Sequence, residues 1–170
     1  EWVMEHLESG VQFRVYSLHL KASSGDSNAQ QRLQEATILR NYLNELPSGS
    51  HFIVCGDFNI CPASLDSFNE ERLEGQIFHS KEERKLFSEL LSWGLVDLFR
   101  ELYPDQKSFT WWDYRAGSFH RNHGLRIDFL LGTKSVLTGV EHVTIDREYR
   151  KKKEGMIASD HAPVYADLIL

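Results

Sequence analysis

The apolar run His51-Phe52-Ile53-Val54-Cys55 stops abruptly at Gly56-Asp57-Phe58-Asn59, so a segment of strand length ends in a carboxylate and an amide. No other stretch constrains the chain as much. Strand side chains alternate, which puts Asp57 and Asn59 on one side about 7 Å apart, a pair suited to metal, water or phosphate. In open α/β sheets ligands gather beyond the carboxyl ends of strands, where this pair falls if residues 52–55 lie in a sheet. Asp and Asn are also turn residues that bond their own backbone, so the pair alone leaves turn and site equally open.

The flanks support a sheet. Val11, Phe13 and Val15 alternate with Gln12, Arg14 and Tyr16, and the run closes at Leu18-His19-Leu20, so a strand ends near His19. Residues Ser23 to Asn28 have loop composition. From Ala29 onward Leu33, Ala36, Leu39, Leu43 and Leu46 recur at helical spacing, a helix that ends before Pro47-Ser48-Gly49. Strand, helix and strand then form a βαβ-like unit. The first ten residues read as a charged lead-in to a strand. Residues 61–79 carry no period and are longer than an ordinary connection. Ser80-Lys81-Glu82-Glu83 has the form of a capping box, opening a helix through Leu86, Phe87, Leu90 and Leu91 to Gly94. A buried stretch Leu95 to Phe99, a partly alternating aromatic segment Ser108 to Arg115, a strand Leu125 to Leu131 and a last strand Pro163 to Leu168 complete the pattern.

At 170 residues with 41% apolar and 26% charged content, the chain is expected to form one domain with a substantial core. A net charge of −6 argues against coating nucleic acid by bulk electrostatics, but not against an enzyme that holds a cation with carboxylates and carries a local basic rim. The rim candidate is Arg147, Arg150, Lys151, Lys152 and Lys153, broken by Asp146, Glu148 and Glu154. Cys55 and Cys61 read as structural thiols, since they lack the partners of a zinc site. No apolar run approaches the about 18 residues of a membrane span and no signal peptide opens the chain, so no membrane association and a cytoplasmic location are expected.

Four motifs carry acids or histidines at strand edges: Leu18-His19, Gly56-Asp57-Phe58-Asn59, Arg126-Ile127-Asp128 and Ser159-Asp160-His161. In this order they resemble the endonuclease/exonuclease/phosphatase superfamily, shared by exodeoxyribonuclease III-type repair nucleases and deoxyribonuclease I. From Gly56 onward the resemblance is closest to exodeoxyribonuclease III, through Trp93-Gly94-Leu95-Val96-Asp97, Phe109 to Arg115 and Gly124 to Asp128. It implies an α/β fold, a deoxyribonuclease I-like α/β sandwich with a mixed sheet flanked by helices, of which this chain is the C-terminal part. Two departures stand out. Where the exodeoxyribonuclease III branch usually has tyrosine this chain has His19, which resembles deoxyribonuclease I. The family's N-terminal half, with an Asn and a metal-binding Glu, has no match, and Glu1, Glu5 and Glu8 lack its context. A missing half predicts an exposed apolar face, hence self-association or a covering partner half.

The resemblance implies Mg²⁺-assisted hydrolysis of a phosphodiester in DNA, with Mn²⁺ as the alternative ion, at abasic sites or 3′ ends. Asp57 would orient or deprotonate the attacking water, and Asp57, Asn59 and Asp160 would lie at the metal, Asn59 also holding the phosphate or that water. His161 would donate to a phosphate oxygen with Asp128 orienting its ring, and His19 would be the leaving-group acid or a phosphate contact. Trp111, Trp112, Tyr114, Arg115, Arg121, Asn122 and Arg126 mix flat apolar surfaces with cations, as DNA contact requires. Alternation puts one of the two tryptophans in the core, and Asp128 could instead pair with Arg126. The histidine at position 19 keeps open another superfamily hydrolase, acting on a nucleotide, RNA or lipid headgroup. The unmatched Glu keeps open a non-catalytic fragment or binding module.

Overall fold

The computed structural model describes residues 2–22, 26–47, 49–151, 155–156 and 158–169. Its strands are β1 (Trp2–Glu5), β2 (Gln12–His19), β3 (His51–Asp57), β4 (Leu95–Asp97), β5 (Asp128–Thr133), β6 (Val140–Ile145) and β7 (Val164–Leu168). The helices are α1 (Asp26–Asn44), α2 (Glu70–Leu73), α3 (Lys81–Trp93), α4 (Leu98–Leu102) and α5 (Lys134–Leu137). A mixed sheet runs in the order β1-β2-β3-β5-β4, with β2 and β3 parallel and the other neighbours antiparallel. β6 and β7 pair as a second, antiparallel sheet. The expected βαβ unit is β2-α1-β3: parallel strands cannot be joined by a tight turn, and α1 makes the return crossing.

Alternation along β3 sorts the core into two layers. Phe52 and Val54 cluster with Leu39 and Leu43 of α1, Phe87 and Leu90 of α3, and Phe129 and Leu131 of β5. Ile53 clusters instead with Leu98 and Phe99 of α4, Val136 of α5 and Val143 of β6, while Val164, Ala166 and Leu168 of β7 pack against them. Helices thus cover one face of the large sheet and the small sheet, with α4 and α5, covers the other. Burial on both faces is why residues 52–55 are apolar without a break.

Several local readings hold and several shift. The capping box of α3 is present, with Ser80 Oγ accepting from the Glu83 backbone N–H at 3.2 Å and Glu83 Oε2 accepting from the Ser80 N–H at 2.9 Å. α1 begins at Asp26, inside the stretch read as loop, because Asp, Ser and Asn suit the first turn of a helix; Ser23 to Gly25 lie outside the described residues. The apolar stretch 95–99 divides at Asp97, whose carboxylate accepts from the Arg100 N–H at 3.2 Å and caps α4. β5 begins at Asp128 rather than Leu125, since residues 125–126 spend their backbone on loops. The Leu125 carbonyl accepts from Thr110 and Trp111, both at 2.9 Å, and the Arg126 N–H donates to the Asp66 carbonyl at 2.8 Å. For the same reason the 108–115 segment forms only isolated bridges, through Trp111 to Leu125 and His161. Cys55 and Cys61 form no disulfide, and burial pushes both thiols up. Among the described residues no helix is long and apolar enough to cross a membrane.

One histidine is buried away from the sheet ends. His79 is 2% exposed, its Nδ1 donates to the Ile77 carbonyl at 3.2 Å, and its Nε2 therefore accepts from the Ser67 hydroxyl at 3.0 Å. Burial holds its pKa below the ordinary value. The unfolded chain takes up a proton near pH 6.5 that the folded chain refuses, so stability falls as pH drops through that value and is unaffected above it. Because His161 and Asp57 titrate in the opposite sense, the check is a difference: as pH falls from about 7.5 to 5 the urea midpoint of wild type should drop relative to that of His79→Gln.

Candidate active site

Neighbouring strands end together at one edge of the large sheet. Parallel register sets His19 of β2 beside Asp57 of β3, and antiparallel register sets Asp57 opposite Asp128 of β5. Gly56 has φ 131°, and a Cβ there would run into the Leu18 carbonyl, so glycine is what lets β2 close on β3 just before Asp57. The pleat does not continue to Asn59. β3 ends at Asp57, and Asn59 takes φ 51°, a left-handed conformation that Asn tolerates. The amide folds back, and its Nδ2 donates to Asp57 Oδ2 at 3.1 Å and to the Leu20 carbonyl at 2.8 Å. The separation expected from strand geometry is thereby replaced by direct contact, and the Asn59 N–H adds a third bond to Asp57 Oδ1 at 2.8 Å.

His161 comes from the opposite end of the chain. Ala162 donates its N–H to the Thr110 carbonyl at 2.7 Å and His161 donates its own to Ser159 Oγ at 3.1 Å, which fixes the backbone. The ring Nδ1 donates to Asp128 at 2.9 Å and 3.1 Å, so Nε2 is turned towards Asp57, 4.0 Å from its Oδ2. His19 Nε2 approaches the same oxygen at 3.5 Å from a side chain that is 75% exposed. Asp57 therefore sits between two imidazoles and across from a second carboxylate. Burial pushes its pKa up, Asp128 adds to this, and the Asn59 N–H and the two histidines counteract only in part. For His161 burial disfavours the cation, but the bond and charge of Asp128, with Asp57 and Asp160, outweigh it and hold the ring above its ordinary pKa.

Ligand atoms of Asp57, Asp128 and His161 lie within 4.8 Å of one another, and this group could hold a metal ion. Its two carboxylates are the hard oxygen donors that a cation such as Mg²⁺ prefers, so the donor set fits. Of the ligands expected from sequence, Asp57 belongs to this group. Asp160 lies outside the group, its Oδ2 accepting from Trp111 Nε1 at 2.9 Å, and the Asn59 amide donates to Asp57.

The expected substrate contacts divide. Arg126 is 2% exposed and cannot reach a substrate: its Nε donates to Asp66 Oδ1 at 2.7 Å and its fork grips Asp97 at 3.0 and 2.7 Å. Arg100 joins from outside with a 2.7 Å bond to the same Asp66 oxygen. Trp112 is the buried member of the tryptophan pair, at 1% exposed, and its Nε1 donates to Asn122 Oδ1 at 3.2 Å. Trp111 is half-buried, Tyr114 is exposed with its hydroxyl on the Ala158 carbonyl at 2.7 Å, and Asn122 is exposed at φ 54°. Arg115 is exposed but paired with Asp113 at 2.6 Å, and exposed Arg121 donates to the Ala116 carbonyl. The rim is not a row of outward cations. Arg147 and Arg150 lie over aromatic rings, Lys151 pairs with Glu148, and Lys152 and Lys153 lie outside the described residues.

Sequence reasoning missed Thr110, which is fully buried and accepts the N–H groups of Ile127 and Asp128 at 3.1 Å each, setting the start of β5. Its place one residue before Trp111 was the available signal. Asp66 was missed too, having no local pattern beyond a turn, and Asp97 was seen only as the end of the Trp93-Gly94-Leu95-Val96-Asp97 motif, without its partner Arg126.

The sequence pattern of the Endonuclease/Exonuclease/phosphatase family matches residues 8–161, and the chain belongs to that family. It is 34% identical over 134 residues to the exodeoxyribonuclease of Bacillus subtilis (strain 168), covering 78% of this chain and 50% of that protein. To exodeoxyribonuclease III of Haemophilus influenzae it is 34% identical over 137 residues, 76% of this chain and 50% of that protein. The fold superposes with a TM-score of 0.84 and 31% identity on a 3′ phosphatase from Neisseria bound to product DNA hairpin, covering 95% of this chain and 62% of that one. The deoxyribonuclease I-like α/β fold expected from the motifs is thus present. The chain spans about half the length of the curated relatives it matches.

If Arg126 is a buried brace and not a substrate contact, its removal must register in stability. Arg126→Ala leaves Asp97 unpaired in the interior and should cost about 3–5 kcal/mol in urea unfolding. A loss of substrate binding with unchanged stability would contradict the assignment.

Proposed function

We propose that this chain carries the phosphodiester-cleaving site of an exodeoxyribonuclease III-type DNA repair nuclease, acting with Mg²⁺, or with Mn²⁺ in its place, on abasic or 3′-end duplex DNA in the cytoplasm. The observation that carries the reading is the Asp57, Asp128 and His161 group, set by strand register and braced by Asn59. Asp57 and Asp128 would hold the cation, which neutralises charge on the phosphate when bound. Asp57, raised by burial and pinned on both oxygens, is placed to orient and take a proton from water. His161, its Nδ1 engaged by Asp128, presents Nε2 as a donor to a phosphate oxygen. His19, exposed beside Asp57, is within reach of the departing oxygen. Half-buried Trp111 and exposed Tyr114, Arg115, Arg121 and Asn122 supply stacking and polar surface at the same edge. The relatives' own names support DNA as the substrate class.

The test is incision of a labelled abasic-site duplex by the purified chain with Mg²⁺ and with EDTA, beside Asp57→Asn. Incision should require the cation and fall by about 10² to 10⁴ in the variant. A folded wild-type chain that leaves the duplex intact, or an Asp57→Asn variant of equal activity, would overturn the proposal.

A further inference from the structure

Beside the site, between the 113–120 loop and the 3₁₀ turn Arg147–Arg150, lies a cleft of about 520 Å³ whose lining includes Asp113, Tyr114, Phe119, Arg147, Arg150 and Lys151. Arg150 is 7% exposed, and its guanidinium is held 4.8 Å from the Tyr114 ring and 5.2 Å from the Phe119 ring. One long bond to the Trp112 carbonyl, 3.4 Å, engages its Nη2, and its buried Nε has no hydrogen-bond partner. Arg147 stacks on the same Phe119 at 4.2 Å and donates to the Phe119 carbonyl at 3.0 Å.

Two cations therefore converge on one ring, and among the described residues neither forms an ion pair with a carboxylate. Among the described residues the nearby acids have partners of their own. Asp113 is paired with Arg115, Glu148 with Lys151, and Asp146 accepts the N–H groups of Glu148 and Tyr149. Arg126, also buried, shows the contrast, since every arm of its fork meets Asp66 or Asp97. A buried guanidinium is stable only when its charge and donors are matched, and aromatic faces meet that need in part. What this fork lacks is a planar or tetrahedral array of anionic oxygens, for which arginine geometry is suited.

We infer that this cleft is an anion site, distinct from the Asp57, Asp128 and His161 group, in which Arg150 and Arg147 hold a phosphate group. Its floor is joined to the candidate active site through Trp112, whose carbonyl meets Arg150 and whose N–H donates to the Asp160 carbonyl at 3.0 Å. The phosphate comes either from the backbone of a DNA strand already lying on the site or from a free phosphate compound.

Calorimetric titration of the purified chain with inorganic phosphate at constant ionic strength, in EDTA, tests the cleft without reference to catalysis. Wild type should show saturable binding that Arg147→Gln weakens about tenfold. His161→Gln should leave it in place, and Arg150→Lys, which keeps the charge and loses the fork, guards against a variant that fails to fold. Absence of saturable binding, or binding lost in His161→Gln and untouched by Arg147→Gln, overturns the inference. A second arm rests on the DNA reading and identifies the source, using binding of uncleaved duplex in EDTA. A salt slope smaller by about one in Arg147→Gln assigns the site to a backbone phosphate, and an unchanged slope beside weakened phosphate binding assigns it to a free phosphate compound.

Discussion

The antiparallel register of β3 on β5 places Asp57 directly opposite Asp128, and most of the structure can be read as making that pairing tolerable. Like charges across a strand pair are destabilising, and here both side chains are also partly withdrawn from water. The compensation is local. His161 takes Asp128, Asn59 takes Asp57, and both imidazoles turn Nε2 towards Asp57 Oδ2. Such an arrangement stabilises a fold less than an apolar pair would, which is the usual mark of residues retained for chemistry.

Behind this front the sheet is braced by charge of the opposite kind. Arg126 lies two residues before Asp128 and ties the early part of the 61–79 segment, through Asp66, to the end of β4, through Asp97. A cluster with several carboxylates needs a rigid frame if its geometry is to persist, and a bidentate arginine with both partners buried is among the stiffest connections a side chain can make. The motif Arg126-Ile127-Asp128 thus serves three surroundings as the chain enters β5. Arg126 points to the brace, Ile127 to an apolar cluster with Cys61 and Leu125, and Asp128 to the site.

Much of this was legible in the order of residues because it depends on short-range rules. The capping box at Ser80, the helical spacing of α1 and the abrupt end of β3 are all local statements, and each holds in the structure. What failed depends on partners distant in sequence. Arg126 looks like any surface cation until Asp66, sixty residues earlier, is found beside it. Asp160 and Asp128 are both acids at strand edges, and only the bond from Trp111 shows that the first faces an indole while the second faces a histidine. Asn59 illustrates a third cause, since a single left-handed backbone angle turned an expected parallel pair of side chains into a clasp.

The close approach at Gly56 has one more consequence. His19 meets Asp57 only because β2 and β3 lie parallel, a contact closed by the long crossing of α1, and His161 is added from the other end of the chain. No local fragment contains the site. Chains dominated by such long-range pairings fold more slowly than those built on local contacts, and the cluster forms only once the sheet has closed. A cation held there would bind the closed sheet and not the open chain, drawing the equilibrium towards the native state, so that occupancy and global folding become a single cooperative event.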